Sequence, residues 1–299
     1  MKICFSAEVE SSLIARNPIL VLESTIISHG VPYPDNLEFA LEAESICRQQ
    51  GVVPATVAVF NGACCVGLKK AQIKSIAKES STKKISKRDL GVAIEKRWSG
   101  GTTVSATMHI AYRSGLSVFS TGGIGGVHRG AEKTFDVSQD LIALSQIPMI
   151  VVTAGAKAVL DLPKTLEALE TLGVPVLGYK TNEFPAFYSQ NSGLYGLLRI
   201  ESPGEAANIY QKNMDMGLSV STLVVNPVPK NDEIPENEIE KIIYSAIKYA
   251  REKKIKGKGV TPFLLKEVVK KTGGRSLETN RALAINNVNL GIQISKELS

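Results

Sequence analysis

The sequence predicts an α/β fold: a mostly parallel central sheet flanked by helices (α/β/α), with a helical C-terminal layer. Three observations carry this. Short apolar, β-branched runs alternate with stretches of helical period, the βαβ rhythm of a parallel sheet. The last 65 residues show helical patterns only. Apolar residues make up 43% and charged residues 21%, an ordinary globular balance that argues against disorder and fibrous repeats.

Taken in order, Ile19–Leu22 reads as a buried strand. Asp35 or Asn36 is placed to cap a helix running to about Gln50, with Leu37, Ala40, Leu41 and Ile46 on one face. Residues 52–60 form a strand candidate in which Pro54 suggests an edge or an irregular start. Residues 66–77 read as a strand end followed by a helix. Residues 116–120, 149–153, 174–177 and 220–225 are further strand candidates, separated by helical patterns over 137–145, 162–172 and 205–216. Thr261-Pro262 reads as a cap with proline at the first helical position, Gly273-Gly274 stops that helix, and 277–298 forms the last one. No repeat or linker interrupts the chain, so residues 1–299 are expected to form a single catalytic domain.

The 299 residues carry 35 Lys+Arg against 29 Asp+Glu, a net charge of +6. The excess is local: residues 69–97 hold ten basic residues and three acids, and residues 248–275 hold ten and two. Such windows attract phosphorylated small molecules or nucleic acid, or are simply a solvated lysine-rich surface. They lack the interleaved aromatics that stack bases, so no nucleic-acid partner is expected. The uncharged stretch 141–156 is shorter than a membrane span and contains Gln146 and Pro148. Lys2 is followed too soon by Glu8 for a signal peptide. Cys4, Cys47, Cys64 and Cys65 fit neither a disulfide framework nor a C-x-x-C metal site. The expectation is a soluble, reduced, cytoplasmic protein.

Parallel sheets bind ligands beyond the carboxyl ends of their strands, so the segments after the strands are where chemistry is sought. Residues 120–130 read S-T-G-G-I-G-G-V-H-R-G. Their glycines let backbone N–H groups approach an anion, and His128 and Arg129 add donors; the alternative is a structural turn. The spacing is not a dinucleotide fingerprint, nor a Walker loop. Residues 22–34 read L-E-S-T-I-I-S-H-G-V-P-Y-P. Glu23 there is either a functional carboxyl or an acid bonding a turn, and His29 either a base or a hydrogen-bonded turn histidine. In M-I-V-V-T-A-G-A-K at 149–157, Lys157 is either an amine nucleophile or a lysine snorkelling to solvent. Asp136 and Asp140, four apart, either share a hard divalent cation on one helical face or are acids favoured by a helix N-terminus. No G-x-S-x-G or H-E-x-x-H occurs, which excludes serine-hydrolase-elbow and zincin chemistry.

Together these segments resemble the pseudouridine-5′-phosphate glycosidases, the indigoidine-cluster protein A-like family, over about residues 18–297. The resemblance rests on L-E-S-T-I-I-S-H-G (22–30), K-I-S-K-R-D-L (84–90), T-T-V (102–104), F-S-T-G-G-I-G-G-V-H-R-G-A (119–131), T-F-D-V-S (134–138) and T-A-G-A-K (153–157). It continues through L-E-x-L-E-T-L-G-V-P-V-x-G-Y (166–179), F-P-A-F (184–187), T-P-F-L-L (261–265), T-G-G-x-S-L (272–277) and Asn280. It implies an α/β homotrimer that reversibly cleaves pseudouridine 5′-phosphate to uracil and ribose 5-phosphate with a divalent ion, usually Mn²⁺. It also implies a proton donor at Glu23, a nucleophile at Lys157 and a metal ligand at Asp136. Substrate contacts are implied at Lys84, Val104, Ser138, Gln139, Asp140 and Asn280, with His128 a further phosphate-contact candidate. Gly101, Lys87 and Gln139 depart from the usual pattern, and none removes a named chemical group. Two other readings share parts of this set: a sugar-phosphate aldolase using Lys157, and a non-enzymatic nucleotide-binding protein using the basic windows.

Overall fold

The computed structural model describes residues 3–79, 81–255 and 259–299. The expectations for Lys2 and for residues 256–258 of the second basic window lie outside these. Eleven strands among the described residues join one sheet: β1 (Ile3–Phe5), β2 (Ile19–Leu22), β3 (Val53–Phe60), β4 (Ala63–Val66), β5 (Lys83–Ile85), β6 (Gly100–Thr102), β7 (Val118–Ser120), β8 (Ile150–Thr153), β9 (Val176–Tyr179), β10 (Leu198–Ile200) and β11 (Thr222–Val225). The order is β1-β4-β3-β2-β7-β8-β11-β9-β10, with β6 also on β3 and β5 on β6. Only β3–β4 and β3–β6 run antiparallel, so the sheet is mostly parallel as the alternating pattern predicts. β8 and β11 are buried along their whole length, because helices cover a parallel sheet on both faces.

The final helix, Arg275–Glu297, packs across β2, β7 and β8, flanked by the helices Asp35–Gln49 and Pro203–Asp215. The last three helices (Glu236–Glu252, Val260–Lys271 and Arg275–Glu297) form the expected helical C-terminal layer. The helix Val104–Tyr112 packs on β2 and β3.

Several local expectations are corrected. Pro54 is not on an edge strand: β3 is interior, with β2 on one flank and β4 on the other. β4 begins to pair only at Val57, so the missing N–H of Pro54 leaves no ladder bond unmade on that flank. The helix Asp35–Gln49 has no side-chain cap, because the Asn36 amide instead donates to the Ile27 and Ala77 carbonyls, at 2.6 and 3.0 Å. Its buried face is Asn36, Phe39, Ala40, Ala43, Glu44 and Cys47; Leu37, Leu41 and Ile46 are only partly buried. The helix expected from Pro262 starts two residues earlier, at Val260, with Gly259 rather than Thr261 as its cap. β1, β5, β6, β10, the helices Ala7–Ala15 and Val104–Tyr112, and a π-helical turn at Ile26–Gly30 have no counterpart in the sequence reading.

One of these shapes the site. β2 pairs with Val53–Thr56 of β3, whereas β6 pairs with Ala58 and Val59. Since β4 occupies the opposite edge there, β6 and β5 continue the β2 edge beyond the carboxyl end of β2. Ser24 fastens the junction: its hydroxyl donates to the Val57 carbonyl at 2.6 Å and accepts the Thr102 N–H at 2.9 Å. Lys84 is thereby carried to the mouth of the sheet.

Candidate active site

A cleft of about 1080 Å³ opens at the carboxyl ends of β2, β7 and β8. All ten residues expected at the site line it: Glu23, Lys84, Val104, His128, Asp136, Ser138, Gln139, Asp140, Lys157 and Asn280.

Glu23 leaves β2 directly and is only 8% exposed. Its Oε1 accepts a hydrogen bond from the Thr121 hydroxyl, a side-chain partner from the end of β7 rather than a turn amide. Burial pushes its carboxyl above the usual carboxylate range; the Lys157 charge, the Thr121 bond and Lys84 pull the other way, while Asp140 adds to the rise. A buried carboxyl shifted upward can hold a proton for delivery.

Lys157 follows β8 through a tight turn. Gly155 adopts a left-handed φ of +87°, and a Cβ there would stand 2.7 Å from the Pro185 carbonyl oxygen, so only glycine makes this turn. The Thr153 hydroxyl donates to the Gly155 carbonyl at 2.9 Å, and the Lys157 N–H to that of Ile124 at 3.1 Å. The side chain is half-buried in the cleft wall, and its charge acts on both Glu23 and His128.

The glycine loop is held by Asp140 from the helix Gln139–Gln146. One carboxylate oxygen accepts the Ser105 N–H at 3.0 Å, and the other the Gly125 N–H at 2.9 Å. Gly125 has no room for a side chain, because a Cβ would run into the Ser138 hydroxyl. Ser138 caps the same helix through the Asp140 N–H. Asp140 is thus a clasp between two loops. Replacing it with alanine leaves the buried Ser105 amide without its acceptor, at about 1–3 kcal/mol, and the half-buried Gly125 amide as well; the expected result is a urea unfolding midpoint clearly below wild type, with the m-value unchanged.

Asp136 and Asp140 do not share a helical face, since Asp136 precedes the Ser138 cap and Asp140 is engaged with backbone amides. The shared helical face on which the pair was expected to hold a cation is therefore absent, and Asp136 lines the cleft beside His128. Among the described residues no group of three or more His, Cys, Asp or Glu converges. This donor set does not suit zinc; it fits a hard divalent ion bound by one carboxylate, with water and substrate oxygens completing its shell.

Arg129 is corrected as an anion ligand. Its guanidinium forms a fork on Glu240, at 3.0 and 2.8 Å, and donates to the Leu160 and Ala158 carbonyls, which ties the loop to the helix Glu236–Glu252. His128 remains in the loop. Burial holds its imidazole below the usual range, with Lys84 and Lys157 adding to that and Asp136 opposing it. His29, on the π-helical turn, lines the cleft with its Nδ1 2.7 Å from the Ser28 hydroxyl, and burial and Lys84 lower its pKa too. Val104 begins the helix Val104–Tyr112 with its side chain buried, so the backbone of that first turn is what it offers a ligand. The Gln139 carboxamide oxygen accepts the Arg88 N–H at 3.0 Å, which fixes the K-I-S-K-R segment against the same helix.

Two contributors escaped the sequence reading. Asn287 is fully buried on the last helix; its amide donates to the Thr121 carbonyl at 2.9 Å, and its oxygen accepts from Asn226 at 3.1 Å. Phe187, at a left-handed φ of 66°, lies against Gly123 and lines the cleft. Phe187 falls within the F-P-A-F match; nothing in the periodicity of the last helix marks Asn287.

Comparison with known proteins places this site among relatives. The family model described as Indigoidine synthase A like protein matches residues 8–297. A pseudouridine-5′-phosphate glycosidase of Solibacter usitatus is 49% identical over 298 residues, covering 100% of both chains. One of Caldanaerobacter subterraneus is 48% identical over 294 residues, 98% of this chain and 96% of the other. An indigoidine synthase A (IdgA)-like protein of Thermotoga maritima superposes with a TM-score of 0.90 at 35% identity, covering 99% of this chain and 96% of the other. The prealnumycin C-glycosynthase AlnA, solved in complex with ribulose 5-phosphate, gives 0.92 at 34%, covering 100% and 97%. The chain belongs to the indigoidine synthase A-like family, alongside the pseudouridine-5′-phosphate glycosidases.

Proposed function

We propose that the protein is a pseudouridine-5′-phosphate glycosidase, an enzyme that reversibly cleaves the C-glycosidic bond to give uracil and ribose 5-phosphate. The observation that carries this reading is the meeting of a buried carboxyl and an amine, Glu23 and Lys157, in one cleft beside the glycine loop. An O-glycoside departs once its leaving oxygen is protonated. A carbon leaving group offers no such handle, and an amine supplies another route.

Glu23 gives its proton to the ribose ring oxygen as the bond from that oxygen to the anomeric carbon breaks. The Lys157 nitrogen forms a bond to the same carbon. After the nitrogen loses a proton, its lone pair expels the uracil carbon, which takes up a proton. The resulting iminium adds water and releases ribose 5-phosphate with the free Lys157 amine. Covalent catalysis thus divides one hard cleavage into easier steps. His128, Lys84 and the loop amides supply donors for phosphate and sugar oxygens. Asp136 would hold the divalent ion, Mn²⁺ by the family resemblance, which when bound supplies positive charge against the anionic substrate. Four free cysteines suit a cytoplasmic enzyme, and the family resemblance supports a homotrimer as part of this proposal. No described helix is long and apolar enough to cross a membrane.

The test is incubation with uracil, ribose 5-phosphate and Mn²⁺. The expected result is an ultraviolet change from C-nucleotide formation, reversed on dilution. Cleavage within the sugar chain would mark an aldolase instead. Tight, salt-sensitive nucleic-acid binding without turnover would mark the nucleotide-binding alternative.

A further inference from the structure

A second, small cavity adjoins Glu23 on its core side. Its volume is about 30 Å³, and besides Glu23 it is walled mainly by apolar side chains of the helix Asp35–Gln49 and the last helix, together with Thr56 and Ser120. The Ser120 hydroxyl is buried there and has no hydrogen-bond partner among the described protein groups. One water needs about 10–15 Å³ of such space and two to four polar partners. Ser120 Oγ, the Thr56 hydroxyl and the Glu23 carboxyl provide three.

Thr56 also connects outward. Its hydroxyl donates to Glu44 Oε1 at 2.7 Å. Glu44 is 4% exposed and has no part in the chemistry above. Its other oxygen accepts from Arg48 Nη2 at 3.1 Å, and Arg48, at the surface, pairs with Glu8 at 2.9 Å. Polar groups therefore lead from the surface ion pair Arg48–Glu8 through Glu44 and Thr56 to the cavity behind Glu23, without entering the cleft.

We infer that Glu44, Thr56 and a water held by Ser120 form a rear proton path, which keeps Glu23 in exchange with solvent while substrate fills the cleft. The inference rests on the acid role proposed for Glu23. When Glu44 takes up a proton its hydrogen bond with Thr56 reverses: the Glu44 proton passes to Thr56 Oγ1 as the Thr56 hydroxyl proton, now turned to the cavity, passes to the water. That water gives a proton to the Glu23 carboxylate, and Glu44 is reprotonated from solvent at the Arg48–Glu8 edge. Only O–H bonds are exchanged, and no other reactant is needed. The charged groups facing Glu23 are Lys157, Asp140 and Lys84; those facing Glu44 are Arg48 and Glu8, with the Cys47 thiol adjacent. Burial raises the pKa of both carboxyls, the direction that favours the protonated form; at Glu44 the Thr56 bond and Arg48 oppose it.

Glu44 and Thr56 are positioning residues, and a structural role has a different kinetic signature. In Glu44→Gln and Thr56→Val, kcat on pseudouridine 5′-phosphate is expected to fall by about tenfold, less than the loss of a direct acid. KM should fall with it, leaving kcat/KM unchanged, because the free enzyme still exchanges protons through the open cleft. Thr56→Ser should restore kcat. Wild-type kcat in both variants, or an equal loss of kcat and kcat/KM, overturns the path. A high-resolution crystal structure of the wild type should show a water within hydrogen-bonding distance of Ser120 Oγ; a dry cavity overturns it too. That readout does not depend on turnover, so failure of the path is distinguishable from failure of the proposed reaction.

Discussion

Lys157→Met is expected to abolish turnover, with a loss on the order of 10³-fold or more, the scale of removing a covalent nucleophile. Methionine keeps the length and apolar stem, and the strand and turn that carry position 157 are held by backbone bonds and by Gly155, so the fold should survive. The more direct measurement uses the wild type. Borohydride reduction in the presence of ribose 5-phosphate should fix a pentose phosphate on Lys157, and peptide mass spectrometry should locate it there. No adduct ends the imine route even if the cleavage itself is confirmed, and an adduct on Lys84 ends the role of Lys157 as nucleophile. Both lysines line the cleft, and the site favours Lys157 because it leaves the central strand β8 and its charge acts on Glu23 more strongly than that of Lys84.

The sheet was legible wherever burial on both faces made a strand continuously apolar: Ile19–Leu22 matches β2 to the residue. β5 (K-K-I) and β6 (G-G-T) carried no such signal, because β6 takes its register from β3, and β5 from β6, rather than from their own composition. The helix Asp35–Gln49 was found but rotated: its buried face includes Asn36 and Glu44, which a hydrophobic pattern assigns to solvent. At the site, residue types announced chemistry but not how their bonds are used. Arg129 looks like a phosphate donor until Glu240, 111 positions away, takes up its guanidinium. Asp136 and Asp140 look like a pair until the Ser138 cap separates them. Such long-range pairings have no local periodicity to betray them.

Glu23→Gln is the sharper probe of acid chemistry, because glutamine keeps the shape and can still accept the Thr121 hydrogen bond through its oxygen. What it loses is the transferable proton. Turnover should drop by about 10²–10⁴-fold, the range for removing a general acid or base. Ribose 5-phosphate binding, measured by calorimetry, should change little, since glutamine keeps a hydrogen-bonding group of the same shape at the same place. The pH profile adds a sign. Burial raises the carboxyl's pKa, which extends the protonated, active form toward neutral pH. In the wild type kcat/KM should therefore hold on the acid side of that raised value and decline as pH climbs through it. In Glu23→Gln the residual rate should show no such decline. Weakening the partners that oppose the rise should move the limb predictably: Thr121→Val removes a bond that favours the carboxylate, so its alkaline limb should shift to higher pH. A limb that stays in place in Glu23→Gln would assign it to another group and remove Glu23 from the proton-donor role.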